Sequence, residues 1–142
     1  MNLIAHRGNI NGPHPELENS PEYLDKALDA GYDVEIDVWL INDKLFLGHD
    51  GPQYQTTLDY LSNSHFWCHC KNIEALKYLL ENNIHCFFHK TDDVTLTSKG
   101  IIWTFPRKKL MEGSVCVMPE DGYEGNLDNC SGICSDYVGK YK

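Results

Sequence analysis

The sequence lacks several features that would assign it to large classes of protein. No apolar stretch approaches the ~20 residues that a membrane-spanning helix needs, so we expect no membrane span. The first residues carry no basic leader followed by an apolar run, and we therefore expect no signal peptide and a cytoplasmic location. At 142 residues the chain is predicted to form one domain, residues 1–142, with room for a hydrophobic core.

Basic residues are scarce. The chain has 12 Lys and Arg against 21 Asp and Glu, and its formal net charge is −9. Neutralising a nucleic-acid backbone requires clustered Lys and Arg, and the only basic cluster is the short segment 107–109. We therefore expect no nucleic-acid partner. The acidic balance does not exclude a phosphate-bearing substrate, because a few local cations or a metal ion would suffice to bind one.

Paired cysteine motifs are also missing. The first four of the six cysteines lie inside apolar, strand-like runs, where Cys behaves as a small hydrophobe. Cys130 and Cys134 have no matching pair at zinc-finger spacing. We expect six buried free thiols rather than disulfides or a zinc site.

Apolar runs alternate along the chain with turn and helix signals. Helices are predicted to begin after Ser20, which precedes Pro21, and after Asn72, with a short helix at 58–61. Eight strands with helices between them predict a (β/α)8 TIM-type barrel, and such barrels usually take ~200 residues or more. We therefore expect a minimal barrel with helices shortened or missing in the second half. The eight strands are predicted at 2–5, 32–41, 45–47, 65–70, 84–89, 101–105, 115–118 and 132–135.

The strongest functional signal is a pair of carboxylates inside a strand. Glu35 and Asp37 lie two apart in an apolar run, so they point to the same face. Burying two carboxylates side by side is costly unless a cation lies between them. His6, followed by Arg7, and His49 each lie near the end of a predicted strand. This series predicts a metal-assisted phosphoryl site.

Later strands also end in polar residues, namely His69 with Lys71, His89, Glu120 and Asp136. The carboxyl ends of barrel strands form the active-site rim. A single buried histidine is usually no more than a hydrogen-bonded core residue. The whole set favours a shared site, because perturbed groups cluster at functional sites.

Other candidate residues carry less information. Trp39 and Trp103 either form an apolar wall for a substrate or fill the core, and core filling is favoured. His14, His65 and His85 have no partner visible in the sequence, and no role is predicted for them.

Four short motifs resemble those of the glycerophosphodiester phosphodiesterase family, within the broader group of phosphatidylinositol-phospholipase-C-like phosphodiesterases. The motifs are His6-Arg7-Gly8, Leu17-Glu18-Asn19-Ser20, Glu35-Ile36-Asp37 and His49-Asp50. Their order and spacing are similar to the family's over residues 3–50, and the similarity is thin afterwards. The resemblance implies a (β/α)8 fold and hydrolysis of a phosphodiester with a divalent cation, Mg²⁺ or Ca²⁺.

The resemblance also implies roles for individual residues. Glu35 and Asp37 are expected to supply hard oxygen ligands to the cation, which polarises a phosphoryl oxygen. Arg7 offers a planar fork for the phosphate, with Lys71 as a second cationic contact.

His6 and His49 are expected to share the acid–base work. One takes a proton from the nucleophile and the other protonates the leaving alkoxide, and the sequence leaves open which does which. Glu18 is expected to be either a metal ligand, a supporting group of the site, or a residue that caps the start of the following helix.

The sequence departs from the family pattern at the fourth strand. Where the family has Glu-x-Lys, this chain has His69-Cys70-Lys71. A neutral imidazole in place of a carboxylate removes a negative charge from the metal shell and moves the preference towards Mn²⁺ or Zn²⁺. Alternatively, His69 contacts the phosphate and binds no metal.

Two further departures concern substrate and assembly. The insertion that often follows the His-Asp motif in glycerol-specific members is missing, so the expected substrate is a small phosphodiester, glycerophosphodiester-like or related. The shortened second half leaves apolar flanks, which favours a homo-oligomer.

The alternative to an enzyme is a catalytically inactive phosphate- or metal-binding module on the same barrel, because the fourth-strand ligand is altered.

Overall fold

The computed structural model describes residues 1–142 and contains ten β-strands and three α-helices. The strands are β1 (Asn2–His6), β2 (Asp33–Ile41), β3 (Lys44–Leu47), β4 (Tyr54–Thr56), β5 (Phe66–Cys70), β6 (Cys86–Phe88), β7 (Val94–Leu96), β8 (Ile102–Thr104), β9 (Val115–Val117) and β10 (Gly132–Ser135). The helices are α1 (Pro21–Asp29), α2 (Leu58–Leu61) and α3 (Ile73–Glu81), with two 3-10 helices at Pro119–Asp121 and Val138–Tyr141. The eight predicted strands are all present, and β4 and β7 are additional. None of the helices has the length and hydropathy of a membrane-crossing segment.

All ten strands belong to one mixed sheet, so the α/β part of the fold prediction is confirmed. Seven strands pair in parallel in the order β6-β5-β2-β1-β10-β9-β8. β3 and β4 extend antiparallel from β2, and β7 pairs antiparallel with β8. Strand pairing does not close the sheet, because no backbone ladder joins β6 to β7 or to β8.

The two ends of the parallel sheet nevertheless meet, through hydrogen bonds to one residue beyond β7 and through ring contacts. Just beyond β7, the Ser98 backbone N–H donates to the Cys86 carbonyl at 2.8 Å, and the Ser98 hydroxyl accepts from the Cys86 N–H at 2.9 Å. The rings of Phe87 on β6 and Trp103 on β8 have their centroids 4.7 Å apart. The sheet is therefore strongly curved, with its first and last parallel strands in side-chain contact.

The two faces of the sheet pack against different partners. On the outer face, Val34, Ile36 and Val38 of β2 join a cluster of 18 buried residues that includes the inward sides of α1 and α3. On the inner face, seven buried residues from six of the parallel strands form a second cluster, which spans the interior of the curved sheet. Its members are Ile4, Trp67, Phe87, Trp103, Val115, Val117 and Cys134.

Helices α1 and α3 fix the carboxylate-bearing strand β2. Helix α1 begins at Pro21 as predicted, although the Ser20 side chain makes no capping hydrogen bond. Asn72 caps α3 by accepting from the Ala75 N–H at 3.1 Å. The Asn72 amide also donates to the Leu40 carbonyl of β2 at 2.9 Å. The same side chain therefore starts the helix and ties it to the strand.

The six cysteines are free and buried, as predicted. Burial raises the pKa of the Cys68 and Cys134 thiols well above their usual range. These two thiols therefore act as small core side chains, since the thiolate is the reactive form of cysteine.

Candidate functional site

A cavity of about 450 Å³ lies at the carboxyl ends of the parallel strands. The structure brings all eight predicted site residues to this cavity or against its lining. Asp37 is within 3.5 Å of both His49 and His69, and Glu18 is hydrogen-bonded to Arg7. The predicted residues that line the cavity directly are His6, Arg7, Glu35, His49, His69 and Lys71.

Strand β2 presents Glu35 and Asp37 on its inner face, with 2% and 1% of their surface exposed. In the parallel register Glu35 lies opposite His6 of β1, and Asp37 lies opposite His69 of β5. Because strand side chains alternate with a period of two, the register places these four residues on one face.

Glu35, Asp37 and His69 form a group that can hold a metal ion. One ligand atom of each residue lies within 4.8 Å of the others, and His69 Nδ1 is 3.5 Å from both Glu35 Oε2 and Asp37 Oδ1. Glu35 Oε1 and Asp37 Oδ1 are buried without a hydrogen-bond partner. Unpartnered buried carboxylate oxygens are costly, and a cation between them satisfies both. The donor set therefore fits a metal ion.

A backbone carbonyl orients the His69 ring so that its Nδ1 faces the two carboxylates. Its Nε2–H donates to the His89 carbonyl oxygen at 2.9 Å, and its ring stacks on Phe87 with centroids 4.9 Å apart. A carbonyl oxygen only accepts, so the neutral ring carries its proton on Nε2 and turns the Nδ1 lone pair towards the two carboxylates. A hydrogen bond at the far ring nitrogen is the usual device that orients a metal-ligating histidine.

His6 is held by Asp136, at the end of β10. The imidazole donates from Nδ1 to Asp136 Oδ1 at 2.7 Å, and Nε2 faces Glu35 at 3.9 Å. Burial disfavours the charged imidazole, but the hydrogen bond to Asp136 and the charge of Glu35 outweigh it and raise the pKa of His6 above its ordinary 6.5. Burial likewise disfavours the Asp136 carboxylate, yet the His6 hydrogen bond lowers its pKa. His6 therefore presents Nε2 from a fixed, charge-stabilised ring.

Arg7 is engaged by three neighbours. Its Nη1 donates to Glu18 at 3.2 Å, its Nη2 donates to His49 Nε2 at 3.1 Å, and its Nε lies 3.4 Å from Asp37 Oδ2. Arg7 has a left-handed backbone with φ 55°, followed by Gly8 with φ 91°. Non-glycine residues in this conformation are costly and cluster at functional sites. The turn directs the guanidinium across the end of β2.

Asp37 is fixed by an amide as well as by basic side chains. The Asn19 side chain donates to Asp37 Oδ2 at 2.9 Å and accepts from the Asp37 N–H at 3.0 Å. Burial favours the neutral acid, but His49, His69 and Arg7 outweigh it and hold the pKa of Asp37 well below its usual range. Asp37 is therefore an anion in the folded protein.

His49 is placed by a tight turn at the end of β3. Gly48 has φ 152°, and a Cβ on it would lie 2.0 Å from the Gly51 carbonyl oxygen, so only glycine fits. The Gly48 N–H donates to the Asp37 carbonyl at 3.1 Å, which ties the turn to β2. The Trp39 indole donates to the Gly48 carbonyl at 2.7 Å, so Trp39 braces the turn.

Glu18 supports Arg7 and lies outside the three-residue metal group. Its carboxylate accepts from Arg7, from the Asn9 amide at 3.1 Å and from the His14 backbone N–H at 3.0 Å. Asn9, which sequence reasoning missed, is fully buried and also donates to Asp136 at 2.9 Å. Asn9 therefore links Glu18, which accepts from Arg7, to Asp136, which accepts from His6. Its one sequence signal is its place directly after the His-Arg-Gly motif.

The remaining lining divides the cavity into two walls. Lys71 and Lys90, at the ends of β5 and β6, form a cationic wall. Trp103, Phe105 and Met118, near the ends of β8 and β9, form an apolar wall. Lys90, Phe105 and Met118 were not predicted from the sequence, because nothing in their local pattern distinguishes them from surface or core residues.

No family model, curated protein or solved structure matches this chain. The similarity to glycerophosphodiester phosphodiesterases therefore rests on the short motifs alone.

Proposed function

We propose that the protein is a divalent-cation-dependent phosphodiesterase of the glycerophosphodiester phosphodiesterase type, acting on a small phosphodiester. One observation carries the proposal: a group able to hold a metal shares its cavity with two histidines, His6 and His49. Binding an anion requires no acid–base pair, and a purely structural core would not leave carboxylate oxygens without partners.

Glu35, Asp37 and His69 would hold the cation. Two carboxylates suit Mg²⁺ and Ca²⁺, whereas an imidazole nitrogen suits Mn²⁺ and Zn²⁺, so the mixed set supports borderline metals beside Mg²⁺. A bound cation would polarise a phosphoryl oxygen and offset its developing charge. The hydrogen bonds of Glu18 favour a positioning role for that residue, through Arg7.

The hydrogen bonds support different roles for the two histidines. Asp136 accepts from His6 Nδ1 and stabilises the charged imidazolium, which suits a general acid that protonates the leaving alkoxide. Nε2 of His49 accepts from Arg7 and is therefore unprotonated, which suits a general base. His49 Nδ1 lies 3.5 Å from Asp37 Oδ2 and has no hydrogen-bond partner.

Arg7 and Lys71 would contact the phosphate. Because Arg7 Nη2 is bonded to His49 Nε2, a phosphate oxygen that binds Nη2 competes with the histidine and frees its nitrogen. Substrate binding and activation of the base would then occur together. Lys71 lines the cavity and forms no ion pair.

For the fold, we extend the proposal to a minimal (β/α)8-type barrel. The predicted barrel strand at 45–47, β3, is instead an antiparallel extension of β2. With β7, which pairs antiparallel with β8, the seven parallel strands would give eight barrel strands, one of them reversed. Three large apolar side chains, Val94, Leu96 and Ile102, are exposed where no helix covers β7 and β8. This exposure is compatible with the expected homo-oligomer.

The second candidate is a phosphate- or metal-binding module without turnover. The engagement of Arg7 by Glu18, Asp37 and His49 favours it, since a guanidinium held by the protein has fewer donors left for a substrate.

Hydrolysis of bis(p-nitrophenyl) phosphate with Mg²⁺, Ca²⁺, Mn²⁺ and Zn²⁺ tests the proposal. We expect metal-dependent release of p-nitrophenol that is lost in His6→Ala and in Glu35→Gln and retained in His65→Ala, a histidine outside the cavity. Activity that survives both site variants contradicts the phosphodiesterase. Absence of activity with every metal, together with retained metal binding, favours the second candidate.

A further inference from the structure

We propose that the cavity accepts phosphodiesters that carry a second anionic group, held by Lys90 next to Lys71, and an apolar leaving group on the opposite wall. This inference rests on the proposed function and adds the class of substrate. It assigns a specificity-determining role to Lys90, which the metal and acid–base chemistry leave without one.

The cavity is larger than the proposed reaction needs. Its volume of about 450 Å³ is in the range of sites that enclose whole small molecules, whereas a phosphodiester group alone is much smaller. The metal group and the two histidines occupy only the side formed by the ends of β1, β2, β3 and β5. Recognition of the substrate's two arms must therefore depend on the remaining lining.

The cationic side chains of the cavity differ in how many protein groups they already contact. Arg7 is engaged by carboxylates and by His49, as described above. Lys71 and Lys90 line the same cavity, and neither lies within ion-pair distance of a carboxylate. The Lys90 ammonium lies 5.9 Å from the Phe88 ring centroid, a contact that leaves its three N–H donors free. With Lys71 placed at the scissile phosphate, Lys90 is the free cation available to a second anion.

The opposite wall has a different chemistry. Trp103 packs against Phe87, and Phe105 packs against His89 with ring centroids 5.1 Å apart, so the two rings form a rigid apolar surface. Asp121, the other carboxylate of the lining besides Glu35, follows β9 on this side. Negative charge on the substrate is therefore favoured towards β5 and β6 and disfavoured towards β9.

Binding of two nucleotides tests the inference without requiring turnover. Thymidine 3′,5′-bisphosphate and thymidine 5′-monophosphate differ only in a second phosphate, and neither contains a phosphodiester. In calorimetric titrations at constant ionic strength with Mn²⁺ present, we expect the wild type to bind the bisphosphate about tenfold more tightly. Lys90→Gln should remove this preference, and Lys99→Gln, at the other end of the strands, should keep it. Equal affinities in the wild type, a preference retained in Lys90→Gln, or no binding of either nucleotide overturns the inference.

A matched pair of chromogenic esters extends the test to catalysis. The substrates are the p-nitrophenyl ester of thymidine 5′-phosphate and the same ester with an added 3′-phosphate. We expect kcat/KM of the wild type to be about tenfold higher for the second ester, and Lys90→Gln to equalise the two. Equal kcat/KM values in the wild type contradict the second-anion site. Failure to hydrolyse either ester contradicts the proposed function instead, and the binding titration still decides the role of Lys90.

Discussion

The two ends of the parallel strands carry the same kinds of side chain in opposite states. At the carboxyl ends, Glu35, Asp37 and His69 meet with two buried carboxylate oxygens unpartnered. At the amino ends, Asp33 of the same strand accepts from His65 Nδ1 at 2.7 Å and from the Trp67 indole at 2.9 Å.

At the amino ends, a cluster of side chains forms hydrogen bonds and ring contacts within itself. Its members are Asp33, His65, Trp67, His85 and Thr97. His85 shares a hydrogen bond of 2.9 Å with the Thr97 hydroxyl, and its ring packs on Trp67 with centroids 4.4 Å apart. Neither Asp33 nor His85 has a buried side-chain atom without a partner, and the His65 ring is exposed to solvent. A carboxylate beside a histidine is thus not by itself a site. The unsatisfied oxygens and the adjoining cavity distinguish the carboxyl end.

Replacing one carboxylate by its amide at each end of strand β2 should give the largest difference in activity between two variants. Asp37→Asn removes an anionic group of the proposed metal site, and we expect it to lower kcat/KM for a chromogenic phosphodiester at least about a thousandfold. Asp33→Asn, with the same chemical change at the other end, should lower the thermal midpoint while leaving kcat/KM within about twofold of wild type. Comparable losses of activity in both variants would contradict the assignment of the two ends.

The next largest effect is expected at the partner of His6. Asp136→Asn keeps the size of the side chain but removes the charge that stabilises the imidazolium, so kcat should fall about a hundredfold with little change in KM. The matched change is His65→Gln, which breaks the corresponding pair at the amino end and should not affect kcat. Steady-state kinetics measures both, and an unchanged kcat in Asp136→Asn removes His6 from the acid–base pair.

A smaller effect is expected from Asn9, the buried amide that donates to both Glu18 and Asp136. Asn9→Ala deletes the donor to Glu18 and Asp136, and we expect kcat to fall about tenfold as Arg7 and His6 lose their fixed geometry. Thr97→Ala, which deletes the partner of His85, should cost about 1 kcal/mol in the free energy of unfolding and leave kcat unchanged. If Asn9→Ala lowers only stability, Asn9 is not a positioning residue.

The smallest effect concerns pH and stability at the amino end. Burial, together with the charge of Lys99, lowers the pKa of His85 from 6.5 to about 4. Between these values the unfolded chain binds a proton that the folded chain does not, so the free energy of unfolding falls as the pH drops from 7 to 5. His85→Gln should reduce this fall by about 1 kcal/mol in urea denaturation at the two pH values. Identical pH dependence in both proteins contradicts a neutral buried His85.

Local sequence patterns predict the carboxyl-end residues well because each of these polar side chains lies within or directly after a single predicted strand. Glu35 and Asp37 interrupt an apolar run at a spacing of two, and His6 and His49 each end such a run. Since parallel strands end at the same edge of a sheet, these side chains are expected to meet, and they do.

The parts that were missed depend on contacts distant in sequence or on very short elements. The partner of His6 is Asp136, 130 residues away, and no local pattern identifies that pair. β4 and β7 have three residues each with mostly exposed or half-exposed side chains, too little for a periodicity to show. Whether a carboxylate beside a histidine has all its hydrogen bonds satisfied is likewise a property of the packed structure.

Binding of Mn²⁺ to the metal-free protein, followed by the paramagnetic signal of the free ion, tests the central claim most directly. The claim is that the unpartnered carboxylates at the carboxyl ends, and not the satisfied pair at the amino ends, form the metal site. We predict that wild type and Asp33→Asn each take up one Mn²⁺ per chain with similar affinity, and that Asp37→Asn leaves the free-ion signal unchanged. Uptake by Asp37→Asn equal to that of wild type, or no uptake by wild type, contradicts the claim.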